Sequence, residues 1–576
     1  MAPHDQSGGP AAGKDPFRLV LVLAAVIALT SFGLSLAARG SFNLTLFLFY
    51  KQDLPLLYAG FGLLLLCFWR LPDRVRPLTA SWRTALAVGG VMALAALAGH
   101  FWILSGYDMS RDEQLASFDA AIFARGLLVA PLPAMWHDHA SALNSTFMYP
   151  TSETSAWVSA YLPLNAVLRA LFGMAGGAAL TGPAMILLGA AALWGCARRI
   201  WPDRPEAALV ALLLYAGSGQ VLFNGMTAYA MPAHLALNLC WLWLFLRRTI
   251  WSDLAALAIG FVATGLHQPI VHPMFAAPIL LLLVLGREWR RAALYLLGYA
   301  AIGAFWLWWP GFTWSLVEGN PLASPADGVD YWTRLIAVIE KGDTLRFENM
   351  VANLLRFFGW QHLLLLPLMV LGLRALWQSR LAAALAGGIA LTLVVMTVIL
   401  PYQGHGFGYR YLHGLIGNAI LLGVFGWVSL GERLVRWRPL LLRATAAGLL
   451  VLLPMQAWMA HQFYAPFARA SARIDASGAD YVVVGAGDAP FAMDLVVNPP
   501  FLDKRPIRLL REKLNGPLAG AICAQHPGAT VAFAGPALTA PINAYFGSPP
   551  TPPANPAQQT LAAQLAVQGC RVGALE

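Results

Sequence analysis

The chain has 576 residues, of which 58% are hydrophobic and only 11% charged. Soluble domains average about 25% charged residues, so this composition excludes a soluble globular protein and points to a polytopic membrane protein. The net charge of +10 does not mark a nucleic-acid binder. The arginines fall mostly in short connections between apolar runs, where the positive-inside rule places them.

Taken in order, residues 1–16 are polar and rich in Gly and Pro, and read as a disordered cytoplasmic tail. Phe17–Ala37 is either a signal sequence or a retained helix, and its apolar run is long for a signal, which favours the helix. Further spans read at 52–69, 84–104, 175–197, 206–223, 230–246, 252–266, 272–286, 292–311, 361–377, 381–400, 412–430 and 439–458. That makes about thirteen transmembrane helices over residues 17–458. Arg70, Arg74, Arg76 and Arg83 fill one connection, Arg198, Arg199 and Arg204 another, and Arg247 with Arg248 a third. Arg287, Arg290 and Arg291, then Arg374 with Arg380, then Arg433, Arg436 and Arg438 continue the alternation. It sets the N-terminus in the cytoplasm and puts segments 105–174, 312–360 and 459–576 outside, as expected for a bacterial inner (plasma) membrane protein with a periplasmic C-terminal domain. The spans carry almost no ionisable residues, which disfavours the alternative class, a lipid or polysaccharide transporter or flippase.

The first outer segment opens with Ser110-Arg111-Asp112-Glu113. Ser110 and Glu113 have the spacing of a capping box, and Leu115, Phe118 and Ile122 recur as on a helix lying along a membrane surface. Glu113 therefore has two readings, as cap or as catalytic acid. Asp112, at the second helical position, gains only a few tenths of a kcal/mol from the helix dipole, a weak structural need that leaves a catalytic role open beside it. Further on stand Trp136-His137-Asp138-His139, Tyr149-Pro150 and Glu153. The His-Asp-His run suits a divalent metal or is simply solvated; no distant third ligand is visible, and no metal or cofactor is assigned.

His267-Gln268-Pro269 and His272 lie in a tight connection expected on the same face, and Tyr402–Tyr411, with His405, in another. Arg410 is the one charged residue of its connection, on the side where positive charge is sparse. It either snorkels to the interface or binds a lipid phosphate, which guanidinium grips bidentately. The segment 312–360 mixes aromatics and charge (Trp314, Glu318, Asp327, Asp330, Tyr331, Trp332, Lys341, Arg346), as sugar sites and interfacial belts both do. In the tail, 480–485 and 529–534 read as strands and 506–514 and 558–567 as helices, giving a small α/β domain. Gly485-Ala486-Gly487-Asp488 reads as a turn. Cys523 and Cys570, outside the cytoplasm, are expected to pair.

Taken together, the layout resembles the GT-C glycosyltransferases, in particular the branch of protein O-mannosyltransferases and lipid A aminoarabinose transferases. Asp112-Glu113 resembles that family's acidic pair at the head of the first outer loop, and Arg410-Tyr411 its later Arg-Tyr before a span. The resemblance implies an inverting transferase that moves a sugar from a polyprenyl-phosphate carrier to a hydroxyl of a lipid or envelope glycan, with membrane lipids as surroundings and no nucleic acid. It implies Asp112 and Glu113 as catalytic residues and Arg410, His267, Tyr411 and His405 as the donor-phosphate site. His137, His139, Tyr149, Glu153 and His272 are then candidates for substrate binding. The chain departs from the family in having His267-Gln268-Pro269 for Lys-Gly-Pro, Phe147-Met-Tyr-Pro150-Thr for Glu-Lys-Pro-Pro, and two extra spans before the acidic loop.

Overall fold

The computed structural model describes residues 16–39, 43–71, 75, 79–325, 329–341, 344–550 and 556–575. Nearly all of the expected tail 1–16 and the arginines Arg74 and Arg76 lie outside them, as does Asp327.

Apolar runs with few Gly or Pro interruptions become helices, because a lipid-facing backbone must satisfy its own N–H and C=O groups. The N-terminal part is α1 (Pro16–Ala37), α2 (Leu44–Leu48), a π-helical turn Phe49–Asp53, α3 (Leu54–Leu66) and α4 (Trp82–Trp102). The first large loop contains α5 (Arg111–Phe123), a two-residue hairpin pairing of β1 (Ala130–Pro131) with β2 (Ala156–Trp157), and α6 (Leu164–Met174). Then come α7 (Thr181–Ile200), α8 (Pro205–Ala216), α9 (Gly219–Asn224), α10 (Met231–Phe245), α11 (Ile250–Thr264), α12 (Val271–Leu285) and α13 (Trp289–Val317). Every expected span overlaps helix, but 206–223 is broken at Gly217-Ser218 into α8 and α9. Seven helices among the described residues are long and apolar enough to cross a membrane, and shorter apolar ones accompany them.

The segment 312–360 is not a loop. α13 runs into it as far as Val317, and two helices follow, α14 (Tyr331–Lys341) and α15 (Arg346–Gly359). Polar and apolar residues alternate there at helical period; in α15, Met350, Asn353, Phe357 and Gly359 turn inward while Phe347 stays exposed. The bundle closes with α16 (Leu365–Gly372), α17 (Arg380–Ile399), α18 (Ile416–Val428), α19 (Leu434–Ala447) and α20 (Leu453–Asp475). α16 and α18 meet backbone to backbone. A Cβ on Gly372 would lie 2.2 Å from the Leu422 carbonyl, and one on Gly426 2.0 Å from that of Leu368. Small residues permit such an approach between apolar helices.

The arginine-rich connections gather at one end of the bundle. Arg199 donates to the Leu246 and Arg247 carbonyls, Arg438 pairs with Glu206 at 2.7 Å, and Arg291 with Asp253 at 2.7 Å. At the other end α20 rises past residue 459 into a small domain with a four-stranded parallel sheet: β3 (Tyr481–Val484), β4 (Ile507–Leu510), β5 (Thr530–Ala534) and β6 (Arg571–Leu575), in the order β4-β3-β5-β6. Helices α21 (Gly516–Gln525), α22 (Pro536–Phe546) and α23 (Pro556–Val567) cover it. The expected helix over 506–514 is instead β4 with a short 3-10 turn. Its Ile507-Arg-Leu-Leu510 run is buried on both faces against β3, where a strand shows no alternation to betray it. Gly485–Asp488 is a turn, with the Gly485 amide donating to Asp488 at 2.8 Å. Cys523 and Cys570 form a disulfide.

Candidate active site

Leaving α4, the chain turns through Ser105 (φ 61°) and Gly106 (φ 63°) and starts α5 at Ser110. Ser110 and Glu113 close a capping box: Ser110 donates to Glu113 Oε2 from its backbone N (3.1 Å) and its Oγ (2.9 Å), and the Glu113 amide donates back to Ser110 Oγ. Tyr464 Oη of α20 also donates to Glu113, at 3.1 Å. Glu113 is wholly buried; burial first, and Asp108 second, push its carboxyl up to about 8. Its geometry is that of a helix cap facing the core.

Asp112, one residue earlier, faces the other way and keeps 23% of its side-chain surface exposed. Tyr161 Oη donates to its Oδ1 at 2.6 Å, and Arg410 Nη1 to its Oδ2 at 2.9 Å. Burial raises the Asp112 carboxyl, but the Arg410 guanidinium, then His267 and the Tyr161 hydroxyl outweigh it and hold the group below the ordinary aspartate range. Tyr161 lies against the His267 ring at a centroid distance of 4.2 Å. The two are brought together because the chain after Tyr161 zips onto the α11–α12 connection: Leu162 donates to the His267 carbonyl and Leu164 to that of Gly265. Burial keeps His267 below the usual imidazole range, so it is a neutral ring. Arg410 covers the Tyr229 ring at 4.5 Å, and its Nε has no partner among the described residues. Asp112, Asp119, Tyr161, Asn165, Tyr229 and His267 line a cavity of about 20 Å³, which holds about one water.

Arg410 belongs to a segment held from elsewhere. Gln220 of α9 donates to the Tyr409 carbonyl at 2.7 Å and Asn224 to that of Phe407 at 3.1 Å. Burial raises the Tyr411 hydroxyl, and the nearby Arg410 guanidinium partly offsets it. His405 stacks on Phe463 with centroids 5.5 Å apart, and burial pushes its ring down to about 3.

The other expected residues are elsewhere. His272 is fully buried in α12, with Nδ1 2.7 Å from Asn238 Oδ1 and Nε2 2.7 Å from Tyr299 Oη, so neither nitrogen is left for a ligand. His137 and Tyr149 line a separate, polar cleft of about 430 Å³. His137 is bonded to the Leu132 carbonyl and stands 3.7 Å from Glu153. Glu153 is exposed, and His139 is half-buried on the next turn. Among the described residues no group of three His, Cys, Asp or Glu is arranged to hold a metal. Sequence reasoning missed Tyr161, Tyr229 and Asp119. Tyr161 and Tyr229 reach the site across a long stretch of intervening chain, whereas Asp119 lies on α5 itself, two turns after Asp112 and on the same face.

The fold is similar to that of ArnT. Two crystal structures of ArnT from Cupriavidus metallidurans match over most of the chain at low identity. The apo state aligns with a TM-score of 0.45 and 13% identity, over 71% of this chain and 83% of that one. The state bound to undecaprenyl phosphate aligns at 0.48 and 12%, over 84% and 89%. No family model and no curated protein matches the chain.

Proposed function

We propose that the protein is an inverting glycosyltransferase that moves a sugar from a polyprenyl-phosphate carrier to a hydroxyl of a lipid or envelope glycan, at the outer face of a bacterial inner membrane. The observation that carries this reading is the direct contact of Asp112 with Arg410 at 2.9 Å, with Asp112 facing a small cavity at the bundle end away from the arginine-rich connections. The acceptor hydroxyl attacks the anomeric carbon, its proton passes to Asp112 directly or through one water, and the carbon–phosphate oxygen bond breaks. Arg410 takes up the charge that develops on the departing phosphate. His267, neutral beside it, offers a hydrogen bond rather than a charge. Glu113 is left as the helix cap.

The pairing also gives the order of events. While Arg410 holds Asp112, the carboxylate is a weak base. A donor phosphate that draws the guanidinium toward itself leaves Asp112 in a buried site with less counter-charge, and so a stronger base. Close by, Pro269, Ile270, Pro273, Ile302, Leu307 and Leu391 line an apolar groove of about 540 Å³ between α12, α13 and α17. A groove so nearly free of polar groups supports an isoprenoid chain as part of the ligand. Asp112→Asn in purified enzyme is expected to lose about 10²–10⁴ in turnover and to melt earlier, because the buried Arg410 loses its counter-charge; unchanged turnover would remove Asp112 from the reaction.

A further inference from the structure

Arg410 closes a segment, residues 401–409, that forms neither helix nor strand. Buried backbone of that kind has to be paired by groups from outside it: α9 and α15 hold the carbonyls of Pro401, Gly406, Phe407 and Tyr409, and the N-terminal helices hold Gln403. Thr45 of α2, fully buried, holds both polar groups of one residue: its Oγ1 donates to the Gln403 carbonyl at 2.8 Å and accepts from the Gln403 amide at 2.9 Å. Gln403 in turn accepts from the Arg410 amide at 2.7 Å and donates to the Gly408 carbonyl at 2.8 Å. A second strut begins at Asp53, the last residue of the π-helical turn. Asp53 receives Arg356 Nε of α15 at 2.7 Å and the Trp360 indole N–H, and Arg356 Nη2 reaches the Gly406 carbonyl at 3.2 Å. Asp53 and Arg356 are each 1% exposed. Gly406, with φ 122°, lies so close to Arg410 that a Cβ would stand 2.4 Å from Arg410 Cδ. A shift of that residue is therefore a shift of the guanidinium.

A buried ion pair is costly to desolvate and adds little stability by itself, and π-helical turns are frequent at functional sites. We infer that Thr45 and the Asp53–Arg356 pair are positioning residues that set the Arg410 guanidinium for phosphate, and that the N-terminal helices before the acidic loop serve as the brace of the phosphate site. The inference rests on the reading of Arg410 as the phosphate group.

The test measures binding of undecaprenyl phosphate to the purified full-length protein in detergent, with melting temperature recorded alongside. Thr45→Val keeps the shape and removes both hydrogen bonds; Thr45→Ser keeps the hydroxyl. The double variant Asp53→Asn/Arg356→Gln removes both charges together, so that neither is left alone. Thr45→Val and the double variant are expected to bind at least tenfold more weakly, and Thr45→Ser to return to within about threefold of wild type. Should the double variant fail to fold, the Thr45 pair decides. Arg410→Ala separates the two claims. If it binds undecaprenyl phosphate like wild type, the phosphate reading falls and this inference with it. If Arg410→Ala loses binding while Thr45→Val only melts earlier at wild-type affinity, the brace is merely structural and the inference alone is overturned.

Discussion

In the proposed reaction Asp112 waits as a carboxylate whose charge is already neutralised. Four influences set its basicity: burial raises it, and Arg410, then His267 and Tyr161, lower it. The acid limb of kcat/KM reports the essential base of the free enzyme, so in wild type that limb should lie below the ordinary aspartate range. Arg410→Gln removes the largest opposing influence and leaves burial in place. Its acid limb is expected to move to higher pH, along with weaker use of donor. A limb that stays where it was would mean that Asp112 is not the titrating group.

At the scale of the element, α5 carries two adjacent acids whose surroundings send them apart. The helix start turns Glu113 into the core and Asp112 toward the cavity, because neighbouring positions on a helix point about 100° apart. Glu113, raised to about 8, holds a proton in the folded protein at a pH where the unfolded chain has released it. Stability from such a group is fully present below its unfolded value and declines as pH rises to the folded one. Asp119, raised to about 6 by burial against its Ser159 bonds, and Asp494, raised to about 7 by burial, act in the same sense. The melting temperature in detergent should therefore fall from mildly acid to alkaline pH. Of these three groups Glu113 is raised highest, so it adds most to the decline between about 7 and 8. Glu113→Gln, neutral and of the same shape, should flatten the curve in that interval; an unaltered slope there would contradict a protonated cap.

For the whole molecule, the two ends of the bundle differ in charge and in what they carry. The arginine-rich connections are tied together at one end, and at the other the C-terminal domain is clamped onto the first loop. Gln114 donates to the Asp494 carbonyl at 2.7 Å, Asn144 to that of Met493 at 3.0 Å, and Trp157 to that of Pro500 at 2.7 Å. The proposed orientation is checked by labelling introduced cysteines with a membrane-impermeant maleimide in spheroplasts. Asn320 and Asp203 are exposed near opposite ends, and the three free native thiols are buried. Asn320→Cys is expected to react at once and Asp203→Cys only after the membrane is permeabilised. The reverse pattern would put the site in the cytoplasm and exclude the proposed donor face.

The sequence by itself determined the membrane class, the positions of the apolar helices, the gathering of arginines at alternate connections and the capped start of α5. These are written in local composition and period, and helices in lipid close their own hydrogen bonds within the segment. It also put Asp112 and Arg410 forward, each because it stood where no local rule needed it. That their side chains meet was decided only by tertiary structure, as were the arrival of Tyr161 and the enclosure of His272. So was the strand at Ile507–Leu510, since burial on both faces erases the alternation that would reveal it. The physical reason is the same in each case: a contact between distant residues depends on how rigid helices and loops dock, and no periodicity along the chain records the docking.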